Sequence, residues 1–447
     1  MVRRRAPWFI VVLLFLAWAY GIYGNQWGET SELPSPDALP ATLIYVDRML
    51  RLEDIAEKEG SAVQWVLSPD KKQSLLDAGS ALEALEDDED FGEDAERALA
   101  VIRSELDSAQ EPSTDLDDLT RAALENAPAS RRAVEELSEK LRSGDAQWWD
   151  ARVASRLLAT TPNEPLAKAL ETYRHSDRRL FLRTFAANGI VWLLSIIGLA
   201  FIPHMIRVIR SGWTIASLHR PVRYGSRWEP SLVIALFLAG DLIANYFITG
   251  AYYAAAYVET GFVFDVVVDA AWRLLAPAVA LVILFRKPSH AIRSLGLDTS
   301  PSWKVVIGTF AFLFWLQTGY YMLIEPWSES DATGGLDMME NGWGGLVYGL
   351  LSAVILAPIA EEIFYRGLLL RGLERRFGFW ISVSVATIAF ALAHSYDAFG
   401  LISVGLVGFV LAVIYRTTGS LTTTILIHAL YNLSITVPQW LMFHDKP

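Results

Sequence analysis

Residues 344–370 read GGLVYGLLSAVILAPIAEEIFYRGLLL. This stretch is long and apolar enough to cross a bilayer as a helix, yet it contains Glu361, Glu362 and Arg366. Charged side chains in hydrocarbon are costly unless they face partners or a water-filled cavity, so within a span they indicate a functional site. The stretch therefore predicts a membrane helix that carries part of such a site.

Apolar runs of similar character recur along the 447-residue chain, of which 53% is hydrophobic. Together they predict an all-α fold, a polytopic transmembrane helical bundle of about eight core helices plus an N-terminal anchor. The predicted spans are Trp8–Tyr23, Thr184–Ile206, Leu232–Tyr257, Phe262–Phe285, Val305–Ile324, Gly344–Leu370, Phe379–His394, Leu401–Tyr415 and Leu421–Met442.

The chain divides into three predicted parts. Residues 1–24 form a transmembrane anchor that stays uncleaved, because the run after Arg3–Arg5 ends without the small residues of a signal-peptidase site. Residues 25–178 form an acidic soluble helical domain. Residues 179–447 form a multi-span membrane domain with its core at about 344–437.

The soluble domain has helical periodicity. Three segments place apolar residues at three- and four-residue steps: Ala95–Leu106, Ser130–Leu141 and Gln147–Leu158. Gly144 follows the second segment as a helix stop. A later helix, beginning near Asn163 with Pro165 in its first turn, is predicted to continue into the next span. The acidic run Glu86–Asp90 indicates a solvated loop, since it lacks the ligand spacing of an EF-hand.

Positive charges predict the orientation of the membrane domain. Short basic loops fall on one side if every run crosses: Arg3–Arg5, Arg207–Arg227, Arg286–Arg293, Arg371–Arg376 and Arg416. The acidic loop Glu325–Glu340 falls on the other side. Residues 25–178 are therefore predicted to be extracytoplasmic in an integral membrane protein whose layout is typical of the bacterial cell membrane.

Composition excludes several classes of function. The absence of cysteine excludes disulfides, thiolate zinc sites and a cysteine nucleophile. The net charge of -12 argues against a nucleic-acid partner. The lipid bilayer is the partner that the composition requires.

Helical spacing sorts the polar residues of the last spans. Glu362 and Arg366 are four apart and are predicted to form an ion pair that orients Glu361. His428 and Asn432 are also four apart, so both can donate to one oxyanion. In the Phe379–His394 span, Phe390 lies one turn before His394 and is predicted to form an apolar wall beside it. At about 1.5 Å of rise per residue, the three clusters lie at a similar depth in the bilayer, so they can share one polar pocket.

Two chemistries remain open from these residues. Glu361 and His394 can activate water, because a carboxylate in a low-dielectric site is a competent base. Alternatively, Glu361, His394 and His428 are candidate ligands of a catalytic zinc ion, although the chain lacks an H-E-x-x-H motif.

Other charges lie in earlier spans. Asp269 and Arg273 are four apart in one span and are predicted to form a structural pair. Asp241 and Asp265 lie in earlier spans too, and their spacing does not assign them to a structural pair, so they stay candidates for a functional role. Gly240-Asp241 and Tyr396-Asp397 resemble fragments of aspartyl intramembrane proteases, but the glycine-x-glycine-aspartate element is missing, which excludes that class.

The segments EEIFYRG at 361–367, FALAH at 390–394 and HALYN at 428–432 resemble the three motifs of the CAAX-protease and bacteriocin-processing (CPBP, Abi) family. They are similar to the domain shared by CAAX prenyl protease 2 and lysostaphin resistance protein A. The resemblance covers about 344–437 and implies an intramembrane endopeptidase of α-helical fold. It implies that Glu361 and His394 activate water, and that His428 and Asn432 stabilise the oxyanion, with Glu362 and Arg366 in support.

The predicted function is hydrolysis of a peptide bond in a membrane-associated protein or peptide. The family is often labelled metalloprotease, and a metal-free glutamate mechanism is also proposed for it, so both stay open here. The alternative is a non-catalytic immunity, scaffolding or chaperone-like membrane protein with the same fold. The soluble domain lies outside the resemblance, and the sequence does not identify its partner.

Overall fold

The computed structural model describes residues 5–27, 38–58, 71–83, 85, 92–106, 116–217, 228–255, 257, 261–285, 287–324, 342–394, 396 and 398–444. Within these residues all regular structure is helical, as predicted, and no strand occurs. The residues outside the described ranges include the Glu86–Asp90 run, the Glu325–Glu340 loop, Arg3, Arg4 and residues 218–227 of the Arg207–Arg227 loop.

The helices before the motif segment are α1 (Trp8–Trp27), α2 (Ala38–Lys58), α3 (Lys71–Glu83), α4 (Glu93–Glu105), α5 (Asp118–Leu124), α6 (Arg131–Ser143), α7 (Trp148–Thr160), α8 (Glu164–Ser217), α9 (Pro230–Ala255), α10 (Phe262–Leu284), α11 (Pro288–Leu295) and α12 (Trp303–Ile324). The remaining helices are α13 (Gly342–Gly349), a π-helix (Leu350–Leu356), α14 (Ala357–Glu361), a second π-helix (Glu362–Leu370), α15 (Arg371–Leu392), α16 (Ala398–Thr418) and α17 (Leu421–Phe443).

Backbone contacts divide the chain into two compact units. The first comprises Met1–Glu32, Ile190–Ser330 and Gly344–Val437. The second comprises Leu33–Gly189, Asp331–Trp343 and Pro438–Pro447. The limits 1–24, 25–178 and 179–447 remain predictions.

Short amphipathic helices build the second unit, and the three predicted segments appear as α4, α6 and α7. The Ser130 hydroxyl accepts a hydrogen bond from the Ala133 amide over 3.2 Å at the start of α6. Gly144 ends the same helix at φ 87°, where a side chain would be strained. Trp149 of α7 is fully buried in the apolar core of this unit.

In the second unit, Asp117 caps helix α5 and pairs with Arg97 of α4. Asp117 caps α5 by accepting hydrogen bonds from the amides of Leu119 and Thr120 over 3.0 Å and 2.9 Å. Arg97 Nε donates to Asp117 Oδ2 over 3.0 Å. Burial alone would raise the pKa of Asp117, but the Thr120 hydrogen bonds and the Arg97 charge outweigh burial and hold that pKa below its usual value.

The helix predicted to begin near Asn163 is α8, and it continues without interruption for 54 residues. The Asn163 side chain accepts a hydrogen bond from the Leu166 amide over 3.0 Å, which caps the first turn. The predicted continuation into the Thr184–Ile206 span is therefore confirmed.

Six helical segments of the described residues are long and apolar enough to cross a membrane: Glu164–Ser211, Pro230–Ala255, Phe262–Leu284, Trp303–Ile324, Gly342–Glu374 and Ala398–Thr418. The chain is thus an integral membrane protein, while the larger count of nine spans is not confirmed. Trp8–Gly21 and Arg376–Leu392 are apolar but shorter. Helix α17 has the length of a span but carries threonines, His428 and Asn432, which lower its hydropathy.

The motif segment departs from regular α-helix. Two π-helical stretches flank α14, so the i→i−4 hydrogen-bonding pattern is interrupted on both sides of Glu361. Such stretches concentrate at functional sites. Gly378 then breaks α15 with φ 76°, next to Phe379, where the sequence predicts a new span to begin.

Candidate active site

Glu362 and Arg366 form a buried ion pair, as their spacing predicts. Arg366 Nη1 donates to Glu362 Oε1 over 2.7 Å, and the two residues are 1% and 0% exposed. Arg366 Nη2 donates to the carbonyl oxygen of Gly408 over 3.1 Å, and its guanidinium lies 4.3 Å from the centroid of the Phe390 ring. These contacts hold the motif segment against α15 and α16.

His428 connects the two glutamates. Its Nδ1 lies 3.1 Å from Glu362 Oε1, and its Nε2 lies 3.8 Å from Glu361 Oε2. Since an ionised carboxylate only accepts, Nδ1 carries a hydrogen, and Glu362 fixes the tautomer and orientation of the ring.

His394 packs against Phe390, as predicted. The two ring centroids are 4.8 Å apart, and His394 Nδ1 lies 2.8 Å from the backbone carbonyl oxygen of Phe390. A carbonyl oxygen only accepts, so Nδ1 is the donor of this hydrogen bond. In the neutral ring, Nε2 is then an acceptor.

Asn432 lies one helical turn after His428 on α17, and its amide already has one acceptor. Asn432 Nδ2 donates to the carbonyl oxygen of Ala353 over 2.7 Å. Ala353 lies in the first π-helix, where altered backbone pairing exposes carbonyl groups to side chains. The second amide hydrogen of Asn432 is not used in this contact.

Glu361 and His394 line one cavity of about 440 Å³ in the first unit. This volume lies within the usual size range of ligand sites. The polar lining also includes Asp241, Asn245 and Arg273. The aromatic lining is Trp18, Trp272, Phe364 and Tyr365.

Arg273 is a cavity residue that sequence reasoning missed. Its predicted pairing with Asp269 is confirmed, with Nε 3.0 Å and 3.1 Å from the two carboxylate oxygens. Nε also donates to the Ser352 hydroxyl over 3.1 Å, while Nη1 lies 3.9 Å from Glu361 Oε1. The signal was an arginine within a span, which the sequence analysis assigned to a structural pair alone.

Asp241, which the sequence marks as an unassigned charge within a span, also lines the cavity. Its Oδ2 accepts hydrogen bonds from Trp18 Nε1 and Asn245 Nδ2, each over 3.0 Å. Trp18 belongs to α1, so the N-terminal helix contributes to the lining of the cavity.

Whether Glu361, His394 and His428 could bind zinc depends on how their side chains are arranged in space. Within the described ranges, no group of three or more histidine, cysteine, aspartate or glutamate side chains is arranged to hold a metal ion. Glu361, His394 and His428 therefore do not fit a zinc site in this geometry.

The predicted site residues are otherwise close in space. Direct contacts join Glu362 to Arg366 and His428, and Arg366 and His428 both contact the Phe390 ring, which lies against His394. Glu361 is within 4 Å of His428. Asn432 contacts the Ala353 carbonyl oxygen of the first π-helix.

Residues 343–434 match the model of a family described as Rce1-like, the type II CAAX prenyl endopeptidases. The resemblance predicted from the three sequence motifs is thereby confirmed for this segment. The matched family is a protease family. No curated protein and no solved structure matches the chain.

Proposed function

We propose that this chain is an intramembrane endopeptidase that hydrolyses a peptide bond of a membrane-associated protein or peptide. The observation that carries the proposal is the cavity that Glu361 and His394 both line, with His428 beside Glu361. The family match supports peptide hydrolysis as the chemistry. The soluble domain recruits or gates the substrate.

Two acceptors orient the attacking water. Glu361 Oε2 has no hydrogen-bond partner within the described part of the chain, and His394 Nε2 is the acceptor nitrogen of its ring. A water that donates one hydrogen to each of these atoms presents its oxygen lone pairs to the substrate carbonyl. Glu361 accepts a proton as the oxygen attacks, in the manner of a general base.

His428 and its neighbours stabilise the charge that develops. The attack moves an electron pair onto the carbonyl oxygen, and His428 Nε2–H with the remaining hydrogen of Asn432 Nδ2 donates to that oxyanion. Glu362 keeps His428 in the required orientation, and Arg366 balances the charge of Glu362. Glu361 then returns its proton to the leaving amine as the carbon–nitrogen bond breaks.

The test is the substitution Glu361→Gln in the full chain. We expect it to leave folding and membrane insertion nearly unchanged and to abolish cleavage, since an amide cannot take the proton. Membrane and secreted proteomes of cells producing either form provide the readout. Fragments found only with the wild-type protein support the proposal, while equal levels of the same fragments with E361Q contradict it.

Glu374→Gln is the matched control. Glu374 is a glutamate of the same membrane unit, and its Oε1 lies 2.5 Å from Arg416 Nε. E374Q removes an ion pair outside the cavity lining described above, so we expect a lower melting temperature with cleavage retained. E361Q should show the opposite combination.

A non-catalytic binding function makes a different prediction. Binding through the same fold would tolerate loss of the histidine chemistry. A cellular phenotype fully rescued by His394→Ala and by His428→Ala would favour the binding function, whereas the peptidase proposal expects neither variant to rescue it.

A further inference from the structure

The cavity lining includes an acidic residue, Asp241, that takes no part in the proposed hydrolysis. Asp241 lies at the middle of α9, lines the cavity, and holds a carboxylate between two neutral donors, Trp18 and Asn245. Both donors bind the same oxygen, Oδ2. Within the described residues no hydrogen bond reaches Oδ1.

The charges around the cavity are unequal. Among the lining residues that the structure describes, Asp241 and Glu361 are acidic, Arg273 carries a guanidinium and His394 an imidazole. Two oxygens of Asp269 already bind Arg273, which leaves little of its charge for Asp241. An anion that is partly removed from water and held only by neutral donors favours a cationic partner.

The aromatic lining suits a cation as well. The Arg273 guanidinium lies 5.2 Å from the ring centroid of Trp272, so this wall already packs one cation against an indole. The Trp18 indole donates its N–H to Asp241 and lines the same cavity. A carboxylate beside aromatic rings is the chemistry that recognises ammonium and guanidinium groups.

We infer that Asp241, fixed by Trp18 and Asn245, forms a specificity subsite that binds a basic side chain of the peptide substrate near the scissile bond. The substrate class is therefore a membrane-associated peptide with a lysine or arginine at one defined position. Trp18 gives the N-terminal helix a part in substrate selection in addition to its membrane anchoring. This inference rests on the proposed peptidase function.

The test uses the purified full-length protein in lipid nanodiscs and two series of lipid-anchored fluorogenic peptides. One series carries lysine at each position around the scissile bond in turn, and the other carries Nε-acetyl-lysine, which has a similar shape without the charge. A hydrogen-bonded charge supports a preference of about tenfold in kcat/KM for lysine at one position. We expect Asp241→Asn to bring this ratio close to one while acetyl-lysine peptides are still cleaved.

Asp265→Asn is the control, because Asp265 is an acid in the first turn of the neighbouring α10 and is outside the Asp241–Trp18–Asn245 cluster. Its lysine preference should equal that of the wild-type protein. If Asp241→Asn does not fold, Trp18→Phe takes its place, since it removes the indole donor and keeps the carboxylate. A Trp18→Phe ratio below that of the wild type supports the subsite, and an unchanged ratio overturns it.

Further outcomes separate this inference from the proposed function. A wild-type enzyme that cleaves lysine and acetyl-lysine peptides equally at every position overturns the subsite and leaves the peptidase proposal intact. An undiminished ratio in Asp241→Asn does the same. Equal cleavage by wild type and E361Q would instead contradict the catalytic role of Glu361, whatever the lysine preference.

Discussion

Arg366 stabilises a charge that has no access to water. Glu362 is fully buried, and its Oε1 is shared by Arg366 Nη1 and His428 Nδ1. Removing one member of a buried ion pair leaves the other charge uncompensated, which costs far more than the pair contributes as a whole. Arg366 is therefore needed for stability, while His428 and Glu361 depend on the position that it gives Glu362.

At this scale we predict that Arg366→Met lowers the free energy of unfolding by about 3–5 kcal/mol. The double variant Glu362→Gln/Arg366→Met should recover part of that loss, because it buries no net charge. Thermal melting of the purified proteins in detergent provides the comparison. A single variant that melts at the wild-type temperature would contradict the buried-pair account.

Helix packing at the site depends on close approach between α16 and the motif segment. A Cβ atom at Gly408 would lie 2.9 Å from Phe390 Cδ1 and 3.5 Å from Arg366 Nη2. At Gly405, one turn earlier on the same helix, the nearest atom to such a Cβ is 3.9 Å away. Of these two positions, only 408 requires a glycine for packing.

We accordingly predict different effects for the same substitution at the two glycines. Gly408→Ala should destabilise the protein by about 1–3 kcal/mol through overpacking and should reduce cleavage, because it displaces Phe390 and Arg366. Gly405→Ala should be neutral or stabilising, since alanine favours helix over glycine. Equal melting temperatures for the two variants would contradict this prediction.

The cap of α5 makes stability depend on pH. The pKa of Asp117 is lower in the folded protein than in the unfolded chain, so its charge stabilises the fold above the unfolded value of about 4. That contribution is lost as the pH falls through the lower folded value. Asp117→Asn keeps a capping side chain and removes the charge, so it isolates this effect.

We expect wild-type protein to melt above the Asp117→Asn variant at neutral pH, and the gap to close as the pH falls below about 4 and through the lower pKa of the folded protein. Melting curves followed by circular dichroism give both temperatures. A gap that stays constant over this range would show that the charge of Asp117 does not carry the effect.

The whole molecule combines membrane helices with an acidic helical domain, and the charge distribution predicts the side on which that domain lies. Because the chain has no cysteine, single cysteines report accessibility without background. We predict that Asp145→Cys, at an exposed site of the second unit, reacts with an impermeant maleimide on intact cells. His290→Cys, at an exposed site of α11 within the basic segment Arg286–Arg293, should react only after permeabilisation. Labelling of both on intact cells would contradict the predicted topology.

Local sequence spacing predicted much of this structure, and long-range contacts account for what it missed. The four-residue spacing of Glu362 and Arg366 predicted their ion pair. The length of the apolar run predicted the continuation of α8, and the start of a new span at Phe379 agrees with the break at Gly378. The Trp18–Asp241 bond joins residues 223 positions apart, and no local pattern indicates it. The bond from Asn432 to Ala353 depends on a π-helix, which periodicity does not predict.

The most direct test of the central claim is hydrolysis in water enriched in oxygen-18. Reconstituted wild-type protein should place one heavy oxygen in the new carboxyl group of a cleaved lipid-anchored peptide, as mass spectrometry of the product would show. The Glu361→Gln protein, equally folded and inserted, should yield no such product. Labelled product formed at the wild-type rate by Glu361→Gln would contradict the account.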